Sequence, residues 1–267
     1  MGRLDATFVR LAADGKKALV IYLTAGDPDL DTSVRAAIAA VKAGADIIEV
    51  GVPFSDPLAD GPVIQRAMNR ALANGCNFDG ALEVVSRLRA ETDAPIVVFG
   101  YINPLLWKGF EVSARSIREA GGDGILVVDV PPEEAGVFRD TARQHELDWV
   151  SLIAPTSGPE RAARIAEGAS GFLYVISMTG TTGGDLTSTD AAERMIAAAR
   201  TKSQLPACVG FGVRDAATAR AAAEAGEGVV VGSAVVRALE SGGPDEGIAR
   251  LEALVGELRR GIDSAKA

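Results

Sequence analysis

Eight times along this chain a short apolar run leads through a polar or glycine-rich loop into a segment of helical period, and few folds accept that pattern. The runs are residues 18–23, 46–52, 95–100, 124–129, 149–153, 171–176, 207–210 and 228–231. Most are near-continuous in Val, Ile, Leu and other apolar residues, which implies strands buried on both faces, as in parallel sheets. Helical patterns follow at 30–43, 62–73, 78–90, 112–120, 132–144, 159–167 and 190–199, and after strands seven and eight. Right-handed crossovers joining eight βα units close most simply into a (β/α)8 barrel, the TIM-barrel class of α/β folds. An open doubly wound sheet is the alternative, but no Gly-x-Gly-x-x-Gly follows the first strand. The amphipathic segment 4–13 is expected to cap one end. The paired helices 62–73 and 78–90 are additional to the repeat, and 248–258 is expected to complete the outer ring. No linker-like stretch divides residues 1–267, so a single domain is expected.

Charge and composition exclude several classes of function. The net charge of −9 is spread along the sequence, with no basic, aromatic-interleaved face for nucleic acid or anionic membrane. Cys76 and Cys208 have no metal-ligand spacing, and His145 is the only histidine, so neither a metal site nor histidine catalysis is expected. His145 falls at the end of a helical pattern, where its ring suits the helix C-terminus. The thiols read as structural ones in a reducing compartment. With no apolar signal core and no run of ~18 apolar residues, a cytoplasmic location is expected.

The chemistry concentrates in 46–62. With a period of two, Glu49 shares a strand face with Ile47 and Gly51, whereas Ile48, Val50 and Val52 share the other. A buried carboxyl must be ion-paired to a Lys or Arg or kept protonated, and the second condition makes a general acid or base. Asp56 and Asp60 follow in a loop stiffened by Pro53, Pro57 and Pro62. Glycines collect at the far strand ends: 177–184 after strand six, Gly210-Phe211-Gly212 after strand seven, and Gly232-Ser233 opening a helix after strand eight. Together they form a phosphate cup, with Phe211 as an apolar wall for the rest of the ligand. Tyr22, Tyr101, Asn103, Asp129 and Tyr174 occupy other strand ends, and Tyr174 shares strand six with the phosphate loop. These features imply acid–base catalysis on an organic phosphate.

The segment Glu49-Val-Gly-Val-Pro-Phe-Ser-Asp-Pro-Leu-Ala-Asp-Gly-Pro-Val-Ile-Gln65 closely resembles the signature of the tryptophan synthase alpha chain family. Leu23-Thr-Ala-Gly-Asp-Pro28, Tyr101-Ile-Asn-Pro104, Asp129-Val-Pro-Pro132 and the glycine loops follow in the family's order. The resemblance implies a lyase that cleaves indole-3-glycerol phosphate to indole and glyceraldehyde 3-phosphate and passes indole to a pyridoxal-phosphate beta subunit in an α2β2 assembly. It places the catalytic pair on Glu49 and Asp60. Tyr174 falls beside Glu49, Thr182 and Gly183 on a closing loop, and Gly183, Gly212, Gly232 and Ser233 on the phosphate. Phe99, Leu126 and Phe211 would wall the indole, with Tyr22 among the pocket residues, while Asp56, Pro57, Tyr101, Asn103 and Asp129 would lie toward the partner. No cofactor is expected in this chain. One departure is the lack, within 177–185, of a basic residue that many family members carry there. Two other readings stand beside this one. A metal- or His/Lys-dependent epimerase or isomerase barrel would need ligands that this sequence lacks at strand ends. A non-catalytic activator subunit would have no use for both Glu49 and Asp60.

Overall fold

A computed structural model of the chain describes residues 1–176, 190–210 and 212–265. The eight apolar runs form β1 (Ala18–Thr24), β2 (Ile47–Gly51), β3 (Ile96–Gly100), β4 (Gly124–Val127), β5 (Asp148–Ile153), β6 (Leu173–Ile176), β7 (Ala207–Gly210) and β8 (Gly228–Val231). They are all parallel and pair in chain order. β8 returns to β1 through a register running from Ala18 opposite Gly228 to Ile21 opposite Val231, which closes the barrel.

Strand periodicity divides the apolar residues into two cores. Ile48, Val50 and Val52 point outward into the layer between strands and helices. Ile47, with Val20, Val97, Leu126, Val150, Phe172, Cys208 and Val230, fills the barrel itself. The first helix, α1 (Arg3–Ala13), plugs the end where the strands begin: Leu4, Phe8 and Leu11 join the interior core, and the Phe8 and Phe172 rings lie 5.9 Å apart. Two carboxylates, Asp123 buried and Asp46 half-buried, fasten that end. Asp123 accepts the Ile96 N–H at 2.9 Å and pairs with Arg89 at 2.6 Å and Arg3 at 3.1 Å, while Asp46 accepts the Leu19 N–H at 3.0 Å and pairs with Arg259.

Around the strands run α2 (Leu30–Lys42), α3 (Pro62–Ala73), α4 (Phe78–Arg89), α5 (Ile102–Leu106), α6 (Phe110–Glu119), α7 (Gly136–Gln144), α8 (Gly158–Glu167), α9 (Asp190–Ala199), α10 (Ala216–Ala225), α11 (Ser233–Leu239) and α12 (Pro244–Asp263). Their starts follow local chemistry. Asp29, Asn77 and Asp215 each accept a backbone N–H three residues on, and Pro62 and Pro244 open α3 and α12. Four elements depart from the sequence pattern. β4 stops at Val127, so Asp129 is free to turn back and accept the Ile102 N–H at 2.8 Å, holding the start of the unforeseen five-residue α5. α7 begins at Gly136, after a turn over 132–135. α12 is 20 residues long, far beyond 248–258; it gains an acidic first turn, Asp245 and Glu246, and a last turn in which Gly261 lies so near Ala216 that no side chain would fit. Among the described residues no helix is long and apolar enough to cross a membrane.

Candidate active site

Glu49 is the third residue of β2 and faces the barrel interior, opposite Tyr22 of β1 and Val97 of β3. It is 1% exposed, no cation pairs with it among the described residues, and its Oε1 has no hydrogen-bond partner there. The ion-paired alternative is thereby removed. Burial alone pushes the carboxyl from an ordinary value of 4.5 to about 8, so at neutral pH the side chain is mostly a carboxylic acid. The surrounding phenols respond to the same low-dielectric setting. Tyr22 and Tyr174 are raised above the ordinary tyrosine value, first by burial and then by Asp60 and Glu49, which puts both phenols in electrostatic reach of both carboxyls. Room for the two rings comes from glycines on neighbouring strands. A Cβ at Gly51 would lie 2.2 Å from the Tyr22 hydroxyl, and one at Gly210 would lie 2.5 Å from that of Tyr174. Phe99 packs edge-on against Tyr22 at 5.1 Å and sits opposite Leu126 in register, so Tyr22, Phe99 and Leu126 form one apolar wall beside Glu49.

Asp60 is brought to this wall by the loop between β2 and α3. The Tyr101 hydroxyl, just beyond β3, donates to Asp60 Oδ2 at 2.6 Å and accepts the Ala59 N–H at 3.0 Å. Gln65, one turn into α3, donates to the Asp60 carbonyl at 2.8 Å. Asp60 is half-buried; desolvation raises its carboxyl above the ordinary value and the Tyr101 bond draws it partly back. One carboxyl is thus protonated at neutral pH, and a second, less perturbed one is held in place by a phenol. That arrangement suits one group that moves protons and one that stabilises positive charge.

Gly212, Gly232 and Ser233 line one cavity of about 340 Å3 together with Tyr174, Ile64 and the start of α3. Gly212 has φ +76°, and Ser233 is the first residue of α11. Arg214 and Arg237 line the same cavity and were not singled out in the sequence, although Arg237 lies four residues after Ser233, a same-face spacing. Thr182, Gly183 and Phe211 lie outside the described residues, as does the 177–185 departure.

The residues expected at the partner rim separate into two groups. Asp56, Asn103 and Asp129 are exposed, and Pro57 is buried beneath its loop. Tyr101 is turned inward: it is 2% exposed, and its hydroxyl is committed to Asp60. Its sequence position after β3 marks the rim, but nothing local signals a bond to a residue 41 positions earlier. Exposed Leu58 and Trp107 extend the apolar part of this rim. Cys76 and Cys208 are buried free thiols, and His145 caps the C-terminus of α7.

Comparison with known proteins agrees with this geometry along nearly the whole chain. The family model for the tryptophan synthase alpha chain matches residues 8–263. The tryptophan synthase alpha chain of Burkholderia lata is 46% identical over 267 residues, covering 99% of this chain and 98% of that one. Among solved structures, tryptophan synthase from M. tuberculosis in its aminoacrylate-bound form superposes with a TM-score of 0.87 at 39% identity, covering 98% of this chain and 100% of that one. The alpha subunit from Legionella pneumophila does so with a TM-score of 0.88 at 37% identity, covering 98% and 99%. With its closed eight-stranded barrel and a match that spans all but the extreme ends, the chain belongs to the tryptophan synthase alpha chain family.

Proposed function

We propose that this lyase performs the family's alpha reaction, retro-aldol cleavage of indole-3-glycerol phosphate, with Glu49 as the proton-transfer group and Asp60 as the charge-stabilising one. The observation that carries the reading is the Glu49 carboxyl: buried, without a cation, and pushed up to about 8. Protonated Glu49 delivers its proton to indole C3, which becomes tetrahedral while positive charge develops at the ring nitrogen. Asp60, half-buried and oriented by Tyr101, accepts the indole N–H and stabilises that charge. The Glu49 carboxylate then removes the proton from the hydroxyl next to the scissile bond. As the carbonyl forms, the carbon–carbon bond breaks and its electron pair returns to the ring, giving indole and glyceraldehyde 3-phosphate. Glu49 is left protonated, ready for another turnover.

Tyr22, Phe99, Leu126 and Tyr174 would enclose the indole, with Phe211 as a further wall; Gly212, Gly232 and Ser233 would hold the phosphate, and Thr182 and Gly183 would close over it. This acid–base chemistry needs no cofactor in this chain. The family pairs with a beta subunit; an α2β2 assembly in the cytoplasm, with pyridoxal phosphate in the beta partner, follows from the same reading. Asp56, Pro57, Asn103 and Asp129 would lie toward that partner. The test is to add indole-3-glycerol phosphate to the purified chain, with and without a beta subunit, and to follow indole. Slow release by the chain alone and faster release with the partner support the reading; no release in either case overturns it.

A further inference from the structure

The cavity lined by Gly212, Gly232 and Ser233 is also lined by two arginines, Arg214 and Arg237, and among the described residues by no carboxylate. In a chain of net charge −9 this is a local reversal of sign. Arg237 follows Ser233 by one helical turn, and side chains on a helix lean toward its N-terminus, so the guanidinium is carried back toward Gly232 and Ser233. The carboxylate three residues further on, Glu240, is already engaged by Arg66 at 2.7 Å and Arg70 at 3.3 Å. The Arg237 side chain has no ion pair or hydrogen-bond partner among the described residues. The Arg214 side chain has one long contact there, 3.5 Å to Asp215, whose carboxylate also caps α10 through Thr218 at 2.8 Å.

Backbone N–H groups and a serine hydroxyl give an anion directional hydrogen bonds but no net charge. A phosphate monoester at neutral pH carries close to two negative charges, its second proton leaving at a pKa of about 6. We infer that Arg237, assisted by Arg214, supplies the counter-charge for the substrate phosphate and makes the cup selective for the dianion. This rests on the proposed function for the identity of the ligand, and it adds two binding residues to that site. Affinity is then strongest above pH ~6 and weakens as the pH falls through the phosphate's second pKa, because the monoanion gains less from two cations. It also weakens with ionic strength, since both side chains are solvent-accessible.

The experiment measures the dissociation constant of glycerol 3-phosphate calorimetrically, together with KM and kcat for indole release, in the full chain. Arg237→Met should weaken glycerol 3-phosphate about tenfold, the loss expected of one charge-assisted contact. Arg214→Met/Arg237→Met should weaken it further and flatten both the salt and the pH dependence. KM should rise by more than kcat falls, and Arg237→Lys should restore most of the affinity, which a merely structural arginine would not do. Arg220→Met removes one charge on α10, where Arg220 pairs with Glu224, and should leave the affinity unchanged. If the wild-type chain binds glycerol 3-phosphate and releases indole while the arginine variants bind within twofold of it, this inference fails and the functional reading survives. If the wild-type chain does neither, the functional reading fails and takes the inference with it.

Discussion

Replacing Glu49 by Gln should abolish turnover and at the same time stabilise the fold. The Glu49 carboxyl moves from 4.5 in an ordinary environment to about 8 in the barrel, a span of ~3.5 pH units at ~1.4 kcal/mol each. Because the folded-state value is raised, the folded protein binds more protons than the unfolded chain between these limits. Stability on this account is fully present below pH 4.5 and is lost progressively as pH rises through about 8. At pH 7 the part already lost is about 3 kcal/mol, and no screening discount applies to a side chain only 1% exposed. Glutamine has the size of the protonated acid and no charge to lose. Urea unfolding followed from pH 5 to pH 9 should therefore show a variant more stable than wild type by about 1 kcal/mol or less at pH 5 and by about 3 kcal/mol at pH 7. The melting temperature should rise by about 5–10 °C at pH 7. Equal pH slopes for the two proteins, or a destabilised variant, would refute the argument that the carboxyl is held without a compensating partner.

Asp60→Asn should lose most activity with little change in KM, since an amide oxygen still accepts an N–H but offers no charge; a wild-type kcat in that variant would end its assigned role. Tyr101→Phe removes the hydroxyl shared by Asp60 and Ala59 and should cost about 1–2 kcal/mol in urea unfolding. Because that bond holds the Asp60 carboxyl down, its loss should move the acidic limb of the pH–rate profile to higher pH; an unmoved limb would show that Tyr101 does not tune Asp60. Gly212→Val places a branched side chain at φ +76° in the phosphate cavity and should mainly raise KM, as glycerol 3-phosphate binding would confirm or deny. Asp56→Lys reverses an exposed charge on the rim, away from the proton transfers; it should weaken titration by a beta subunit while the isolated chain's slow turnover persists, and full activation at wild-type affinity would move the interface elsewhere.

The residues show which parts of this reading local chemistry can carry. A strand's period of two puts Glu49 on the face of Ile47 and Gly51 from sequence alone, and the barrel, with Ile47 in its interior core, makes that face the inner one. The eight-unit barrel was legible because each strand is short, apolar and followed by a segment of helical period. Long-range bonds leave no such trace. Tyr101 lies at the strand end its position suggests, but its bond to Asp60 depends on the path of a loop between other elements. The helix α5 was hidden because Pro104 within Ile102–Leu106 reads as a breaker, and its start is held by Asp129 from the next strand. The reach of α12 was shortened because Gly243-Pro244 reads as a break before it and Gly261 as one near its end, until Gly261 is seen against Ala216. Arg214 and Arg237 became visible only when two loops and a helix met around one cavity.

The central claim is that Glu49 is a carboxylic acid, not a carboxylate, in the resting protein at neutral pH. Glutamate labelled with 13C at the side-chain carboxyl, with the Glu49 resonance identified by its disappearance in Glu49→Gln, allows the group to be titrated directly by NMR. A midpoint near 8, within about a unit, is the result this account predicts. A midpoint near the ordinary 4.5 would mean that a partner or water compensates the charge, and the proton-donor role assigned to Glu49 would have to be given up.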